Sequence, residues 1–264
     1  MSYRKSAKNS TIPAERQKQI VEYIEKNGSA QIKALARYQN VSEATIRRDL
    51  DDLAASGIIE RTHGGAIVID RSTSFEHKHN EKMKLMLKEK SSIAKAACTL
   101  IRDGDTVFLD SGTTTYFIAQ NLGNFKNLTV ITHDLQIGNT AILHPTSTLI
   151  VTGGIRREEF SVLVGSVTES FIKELKVNKV FLGADAIDVE NGIFNANFLE
   201  VGIKRLLLTI GKHIILVTDT SKFSRSALAK VCDIDSVETI ITDNNLSVEI
   251  KDKIEKKGVK LILV

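Results

Sequence analysis

The sequence predicts two modules: a small helical unit closed by a β-hairpin, then a larger α/β domain whose mostly parallel sheet is covered by helices on both faces. Three observations carry this prediction. The chain has 264 residues, more than one average domain needs. Its first quarter holds short helical patterns and a glycine-centred pair of β-prone runs, whereas the remainder alternates brief apolar runs with helical periodicity. Hydrophobic residues make up 42% and charged residues 26%, so a true core forms without tryptophan.

Taken in order, residues 1–12 are polar and basic with no period and read as a flexible arm, able to touch phosphates or simply solvated. Pro13 opens an amphipathic helix with Ile20, Val21 and Ile24 on one side and Arg16, Gln17 and Glu25 around them, closing at Asn27-Gly28. A second short helix carries Ile32, Leu35 and Ala36 and stops near Asn40. The Ser42 hydroxyl then stands where it caps a third helix, which runs through Ile46, Leu50 and Leu53 to Gly57. Residues 58–63 and 66–69 flank Gly64-Gly65 as a hairpin, so residues 13–70 read as a winged helix-turn-helix. The polar stretch 71–81 reads as a linker and residues 82–264 as the second domain, entered by a helix over roughly 81–102. Strands are predicted at 107–109, 128–131, 148–151, 179–182, 214–217, 239–241 and 261–263, with helices between most of them. In such sheets ligands bind beyond the carboxyl ends of the strands.

Composition narrows the function classes. No apolar run approaches the roughly 20 residues that cross a bilayer, and the N-terminus lacks an apolar signal core, so a cytoplasmic protein without a membrane partner is expected. Cys98 and Cys232 show no paired spacing and read as buried small hydrophobes. A net charge of +4 is compatible with nucleic acid without being diagnostic. The six histidines place no pair on one helix face with a carboxylate, His77 and His79 being two apart in the linker, and no glycine fingerprint for a nucleotide is present. Neither metal nor cofactor is indicated.

Two motifs carry chemistry. The third helix begins Ser42, Glu43, Ala44, Thr45, then Arg47 and Arg48. Short and hydroxylated side chains let a helix N-terminus approach base edges, threonine reaches a base or a thymine methyl, and arginine pairs with guanine or clamps a phosphate. Ile46, Leu50 and Leu53 take the core side, so Arg47 and Arg48 cannot both face inward. The alternative is a solvated helix whose arginines pair with Glu43, Asp51 or Asp52, but the order of helices and hairpin favours DNA. Arg61, His63, Gly64 and Gly65 form the wing; His63 either approaches a minor-groove phosphate or is only a polar turn residue.

The second motif, Asp110, Ser111, Gly112, Thr113, Thr114 and Thr115, follows the first strand of the large domain and suits an anion through backbone N–H groups and hydroxyls; alternatively the hydroxyls merely cap a helix. Thr132 and His133 follow the second strand. Gly153 and Gly154 follow the third, admitting a ligand close to the backbone or only making a turn. Asp185 and Lys222 stand at later strand ends, where they serve an anionic ligand or a surface ion pair.

The segment from Glu15-Arg16 through Thr45-Ile46-Arg47-Arg48-Asp49-Leu50 to Arg61-Thr62-His63-Gly64-Gly65-Ala66 resembles the DNA-binding domain of the DeoR family of bacterial sugar-metabolism repressors. The resemblance implies that the third helix and wing contact double-stranded operator DNA and that the chain is a homodimer or homotetramer. It extends over nearly the whole chain, since the family's C-terminal domain resembles the sugar-phosphate isomerase fold. By that similarity Ser111, Gly112, Thr113 and Thr114 fall on a phosphate-binding loop, and Asp185 and Lys222 line a sugar pocket. Glu200 and Lys204 match a family pattern too, although such a pair also supports its own helix. His133 stands where the family usually has asparagine and Ala186 where glycine is usual; the histidine is a ligand contact, a pH-sensitive group or a packing residue.

The expectation is thus a repressor whose operator affinity changes when a phosphorylated sugar binds, with the sugar as inducer by resemblance. The alternative is a sugar-phosphate isomerase-like enzyme with an attached DNA-binding domain. Asp185, Glu200 and Lys222 are capable of acid–base work, yet the further acid–base residues and glycine motifs of such enzymes are not found after Asp185, so no catalytic residue is assigned. A purely architectural DNA-binder would leave residues 110–115 arbitrary.

Overall fold

The contact pattern of the chain separates Met1–Arg71 from Ser72–Val264. The computed structural model describes residues 12–27, 29–55, 58–68, 73–74, 76, 79–157 and 160–264. The basic arm apart from Ile12, the glycines Gly28 and Gly57, the hairpin end at Ile69, much of the 71–81 stretch and His77 lie outside the described residues.

The first unit contains α1 (Pro13–Asn27), β1 (Ser29–Gln31), α2 (Ile32–Gln39), α3 (Glu43–Ala55), β2 (Ile59–Thr62) and β3 (Gly65–Val68). Apolar residues at three-to-four spacing on the three helices meet in one core: Ile20 and Ile24, Ile32 and Leu35, Ile46 and Leu50. Asn40 turns left-handed at φ 53° to end α2, and Ser42 Oγ accepts the Thr45 N–H at 3.1 Å to start α3. The hairpin of β2 and β3 acquires β1 as a third, antiparallel strand. Three residues carry too little pattern for β1 to be read from sequence. Its presence explains Gly65, where an added Cβ would lie 1.9 Å from the Ala30 carbonyl oxygen. Arg16, read as part of the polar face of α1, is buried instead. Its guanidinium grips the buried Asp49 carboxylate through Nε at 2.6 Å and Nη2 at 2.9 Å.

The second unit opens with α4 (His79–Lys84) and α5 (Leu87–Cys98). The single helix anticipated over 81–102 is broken at Met86, which is left-handed at φ 52°. Lys90 Nζ donates to the Leu85 carbonyl at 2.7 Å and the Lys82 carbonyl at 2.5 Å, satisfying terminal acceptors of α4. Then follow β4 (Thr106–Leu109), α6 (Thr113–Ala119), β5 (Thr129–Thr132), α7 (Leu135–Thr140), β6 (Thr148–Val151), β7 (Ile155–Arg157), β8 (Val162–Val164), α8 (Ser166–Lys173) and β9 (Val177–Leu182). The chain continues through β10 (Ala186–Asp188), β11 (Gly192–Asn195), α9 (Phe198–Ile210), β12 (Gly211–Val217), β13 (Ala229–Cys232), β14 (Thr239–Thr242), α10 (Val248–Lys256) and β15 (Lys260–Leu263).

All seven strands anticipated for this domain join one parallel sheet in the order β15-β14-β12-β9-β4-β5-β6. Alternate residues feed two cores. Phe108, Val180 and Leu216 pack with α8, α9 and α10, while Val107, Leu109, Phe181 and Val217 pack with α5 and α6. Two small antiparallel groups escape sequence reading, β7 with β8 and β10 with β11 and β13. Cys98 is buried as anticipated, whereas Cys232 in β13 is only half-buried. Among the described residues no helix is long and apolar enough to cross a membrane.

The topology fixes where a ligand goes. From β4 the chain steps outward through β5 to β6, then returns to β9 beside β4 and proceeds to the other edge. The connections after β4 and β9 therefore diverge and open a crevice at their carboxyl ends, the switch point of a doubly wound sheet.

Candidate functional site

In the first unit, α3 presents Ser42, Ala44, Arg47 and Arg48 to solvent, with Glu43 and Thr45 partly exposed. Arg47 and Arg48 both point outward, because the inward stripe is filled by Ile46, Asp49, Leu50 and Leu53. Arg47 lies 3.5 Å from Glu43, an exposed pair of little energetic weight. Arg61 on β2 donates to the Arg47 carbonyl at 3.2 Å and pairs with Asp51 at 3.0 Å, which fixes the wing against the helix. His63 and Gly64 are exposed at the tip. Gly65, grouped with them from the sequence, is buried under Ala30 and serves strand packing.

In the second unit, a pocket lies at the switch point, and Ser111, Gly112, Thr113, Thr114, Asp185 and Lys222 all line it. Gly112, at φ 142°, turns the chain from β4 into α6, a conformation that favours glycine. Ser111 Oγ donates to Glu200 Oε2 at 3.1 Å, and the Gly112 N–H reaches Asp134 Oδ2 at 3.3 Å. Thr113 and Thr114 make no side-chain hydrogen bond to other described residues, and the first N–H groups of a helix have no partner within it.

The remaining sequence candidates sit elsewhere. Asp110, Thr132 and His133 are fully buried beneath the loop and do not line the pocket. Asp110 is anchored by Lys204 Nζ at 2.5 Å and the Gly183 N–H at 2.9 Å. Burial works against its charge, but Lys204 and His133 hold its carboxyl down at about 2. His133 Nε2 lies 3.0 Å from Asp110 Oδ1 and Nδ1 lies 3.2 Å from the Leu163 carbonyl. Nε2 also faces a donor, the Ser111 N–H at 3.2 Å, so Asp110 and Ser111 compete for that nitrogen, and a positive charge on the ring is set by burial against the Asp110 carboxylate. Burial opposes that charge, and the Asp110 hydrogen bond overcomes it, raising the pKa. Gly153 and Gly154 are exposed and turned toward α8. A Cβ on Gly154 would stand 2.0 Å from Thr168 Oγ1, so this glycine serves close packing.

Several pocket residues were missed from sequence. Glu76 and His79, in the stretch read as linker, line the pocket, as do Lys82, Lys90 and Asp134. Glu76 Oε1 accepts from Lys82 Nζ at 2.8 Å and Glu76 Oε2 from Arg157 Nη2 at 2.6 Å. Lys82 also meets Asp185 Oδ1 at 3.1 Å, and Arg157 pairs with Glu200. Burial opposes the Lys82 charge, but Asp185 and Glu76 raise its pKa. His79 Nε2 is buried with no hydrogen-bond partner among the described residues. For Lys90 a signal did exist: it shares the buried face of α5 with Ile93, Ala94 and Ala97, so a lysine occupied a core register.

Lys90 and Lys222 stand apart electrostatically. Burial pushes both ammonium groups down to about 8. Neither has a carboxylate at ion-pair distance among the described residues, and Lys82 and Arg225 lower them further. The pocket also carries carboxylates, and Asp219 partly offsets both shifts, but beside the Ser111–Thr114 loop the two ammonium groups form a local cationic patch suited to a phosphate or carboxylate.

Residues 16–72 match the family model of the DeoR-like helix-turn-helix domain, and residues 86–244 that of the DeoR C-terminal sensor domain. The chain is 36% identical to a protein of Escherichia coli O157:H7 named for transcriptional repression of the aga operon, over 97% of this chain and 96% of that one. It is 36% identical to the lactose phosphotransferase system repressor of Lactococcus lactis subsp. lactis, over 88% and 91% of the two chains. With the glycerol-3-phosphate regulon repressor of Escherichia coli (strain K12) it shares 32% identity over 85% and 88%. Among solved structures, a D-ribose-5-phosphate isomerase in complex with phospho-erythronic acid matches 52% of this chain and 54% of its own, at 17% identity and a TM-score of 0.37, a distant and partial likeness.

Proposed function

The chain belongs to the DeoR family of transcription regulators, and we propose that it represses a sugar uptake or catabolism operon, releasing operator DNA when a small phosphorylated sugar binds its sensor pocket. Family membership makes it a DNA-binding regulator with a small-molecule sensor domain and removes the isomerase alternative. The observation that carries the phosphosugar reading is the pair Lys90, buried, and Lys222, half-buried, neither with a carboxylate at ion-pair distance among the described residues, and both set beside hydroxyls and N–H groups of residues 111–114. A phosphate takes the two ammonium groups with the Thr113 and Thr114 hydroxyls and the first N–H groups of α6. Asp185 and Asn195, on the same pocket wall, supply acceptors and donors for sugar hydroxyls. Asp110, His133 and Lys204 hold the loop from beneath.

On the DNA side, Arg47 and Arg48 with Ser42, Ala44 and Thr45 read the major groove, and His63 and Gly64 approach the backbone. The protein works in the cytoplasm as a homodimer or homotetramer. Exposed Val167 and Phe171 on α8, with Phe198 and Leu199 at the start of α9, supply apolar surface for self-association.

The test is a thermal-shift screen of sugar phosphates against their parent sugars. A ligand at 100 times its Kd adds about 2.7 kcal/mol, and only the phosphates produce the shift. Thr113→Val removes the shift and leaves DNA binding intact. Equal stabilisation by the unphosphorylated sugars refutes the phosphate assignment.

A further inference from the structure

The pocket is closed by the chain's own charges. The space left among its lining residues is about 70 Å³, well below the roughly 300–1,000 Å³ of small-molecule pockets. A sugar phosphate therefore enters only if part of the wall withdraws. Most walls belong to the sheet or to helices rooted in the two cores, but Glu76 and α4 contribute no residue to either core. Polar contacts hold them, Glu76 on Arg157 at 2.6 Å, Lys82 on Asp185 at 3.1 Å, and the carbonyls of Lys82 and Leu85 on Lys90 Nζ, together with one ring contact, His79 edge-on to Tyr116 of α6.

Two of these contacts occupy groups that the proposed function gives to the effector. The ammonium of Lys82 sits on the carboxylate meant for sugar hydroxyls, and two carbonyls of α4 engage the lysine meant for phosphate. Glu76 is the surplus carboxylate of its cluster: burial raises the pKa of Glu200, and the nearby Glu76 charge raises it further. Without Glu76, Arg157 keeps Glu200 and Lys82 keeps Asp185. At the other end of α4, the left-handed Met86 separates it from the firmly packed α5.

We propose that Glu76 and α4 form an autoinhibitory strap over the effector pocket, and that effector and strap exclude one another. Effector binding exchanges the Lys90 carbonyl contacts for phosphate contacts and opens the Glu76–Arg157 and Lys82–Asp185 latches. The strap follows directly on the boundary between the two units at Arg71 and Ser72. Its release therefore alters the chain segment that leads to the DNA-binding unit, which gives ligand binding a covalent path to the operator. This inference rests on the pocket being an anion site.

The full-length chain and its Glu76→Gln variant are titrated with inorganic phosphate by calorimetry, and tryptic cleavage after Lys82 and Lys84 is followed with and without phosphate. A closed state populated nine times in ten withholds about tenfold in affinity, so Glu76→Gln binds phosphate roughly tenfold more tightly. It is also cleaved faster than the parent chain without ligand, and phosphate speeds cleavage of the parent. Lys82→Gln, which opens the second latch, repeats the affinity gain and the faster cleavage, read after Lys84. Equal phosphate affinity in all three proteins with cleavage unchanged by phosphate overturns the strap while leaving the anion site standing. No phosphate binding by any of them overturns the anion site and the strap with it.

Discussion

Replacing Asp110 with asparagine tests the electrostatic foundation of the pocket. In the native chain its carboxylate is wholly buried and takes Lys204, the Gly183 N–H and His133. Lowering its pKa from the ordinary 3.8 to about 2 corresponds to stability on the order of 2 kcal/mol. Because the folded value lies below the unfolded one, that stability is complete above about pH 4 and disappears as the pH falls toward 2. Asp110→Asn costs more than this, about 3–5 kcal/mol, because it strands a buried cation. Lys204 is 3% exposed at its side chain and, among the described residues, keeps the Gly183 carbonyl at 3.1 Å as its hydrogen-bond partner, with Glu200 and Asp185 acting at longer range. Lys204→Met on its own leaves Asp110 its histidine partner and costs less. The double variant costs less than the sum, with a coupling of about 1–3 kcal/mol. Amide exchange of β4 and β9 under mild urea reads the second unit separately from the first. A cost under about 1 kcal/mol for Asp110→Asn, or strict additivity in the double variant, refutes the buried ion triad.

Further outcomes follow from the same geometry. Arg47→Ala and Arg48→Ala each weaken duplex binding and flatten its salt dependence by about one phosphate contact, while the phosphate-induced thermal shift is retained; undiminished DNA affinity in both removes α3 as the reading helix. Lys90 and Lys222, both near 8, lose their charge as pH rises through that value. Phosphate affinity therefore falls by tenfold or so between about pH 7 and 9, given about 1.5–3 kcal/mol per charge-assisted bond. Over the same range the stability contributed by these two lysines rises with pH, since the unfolded chain binds more protons than the folded one; calorimetry and urea melts across pH separate the opposed trends. Gly65→Ala drives a methyl against the Ala30 carbonyl, costing about 1–3 kcal/mol and loosening amide protection in β1 and β3; an unaltered exchange pattern refutes the packing role of β1.

Periodicity is local, and wherever it decides structure the sequence suffices. The three helices of the first unit, the hairpin and the seven sheet strands each announce themselves through apolar spacing of three to four or of near-continuous runs, bounded by Ser42, Asn40 or glycine. The loop of residues 111–114 is likewise legible, because its hydroxyls and glycine stand between a strand and a helix. Three-residue strands are not: β1, β7 and β10 form because a partner strand is already in place, and no period fits within so few residues.

What the tertiary structure alone decides is which charged groups meet. Arg16 and Asp49 are 33 positions apart, and each looks like a solvated helix residue until the two helices cross. Lys204 and Asp110 are 94 apart, and Glu76 and Arg157 are 81 apart. Desolvation and Coulomb attraction depend on distance in space and on exclusion of water, neither of which is encoded in spacing along the chain. The sequence by itself therefore determined the two modules, the outward face of α3 and the position of the 111–114 loop between a strand and a helix. The fold decided that His133 lies beneath that loop, that Gly65 and Gly154 serve packing, and that the stretch read as a linker carries Glu76 into the pocket, because only there do buried charges find one another.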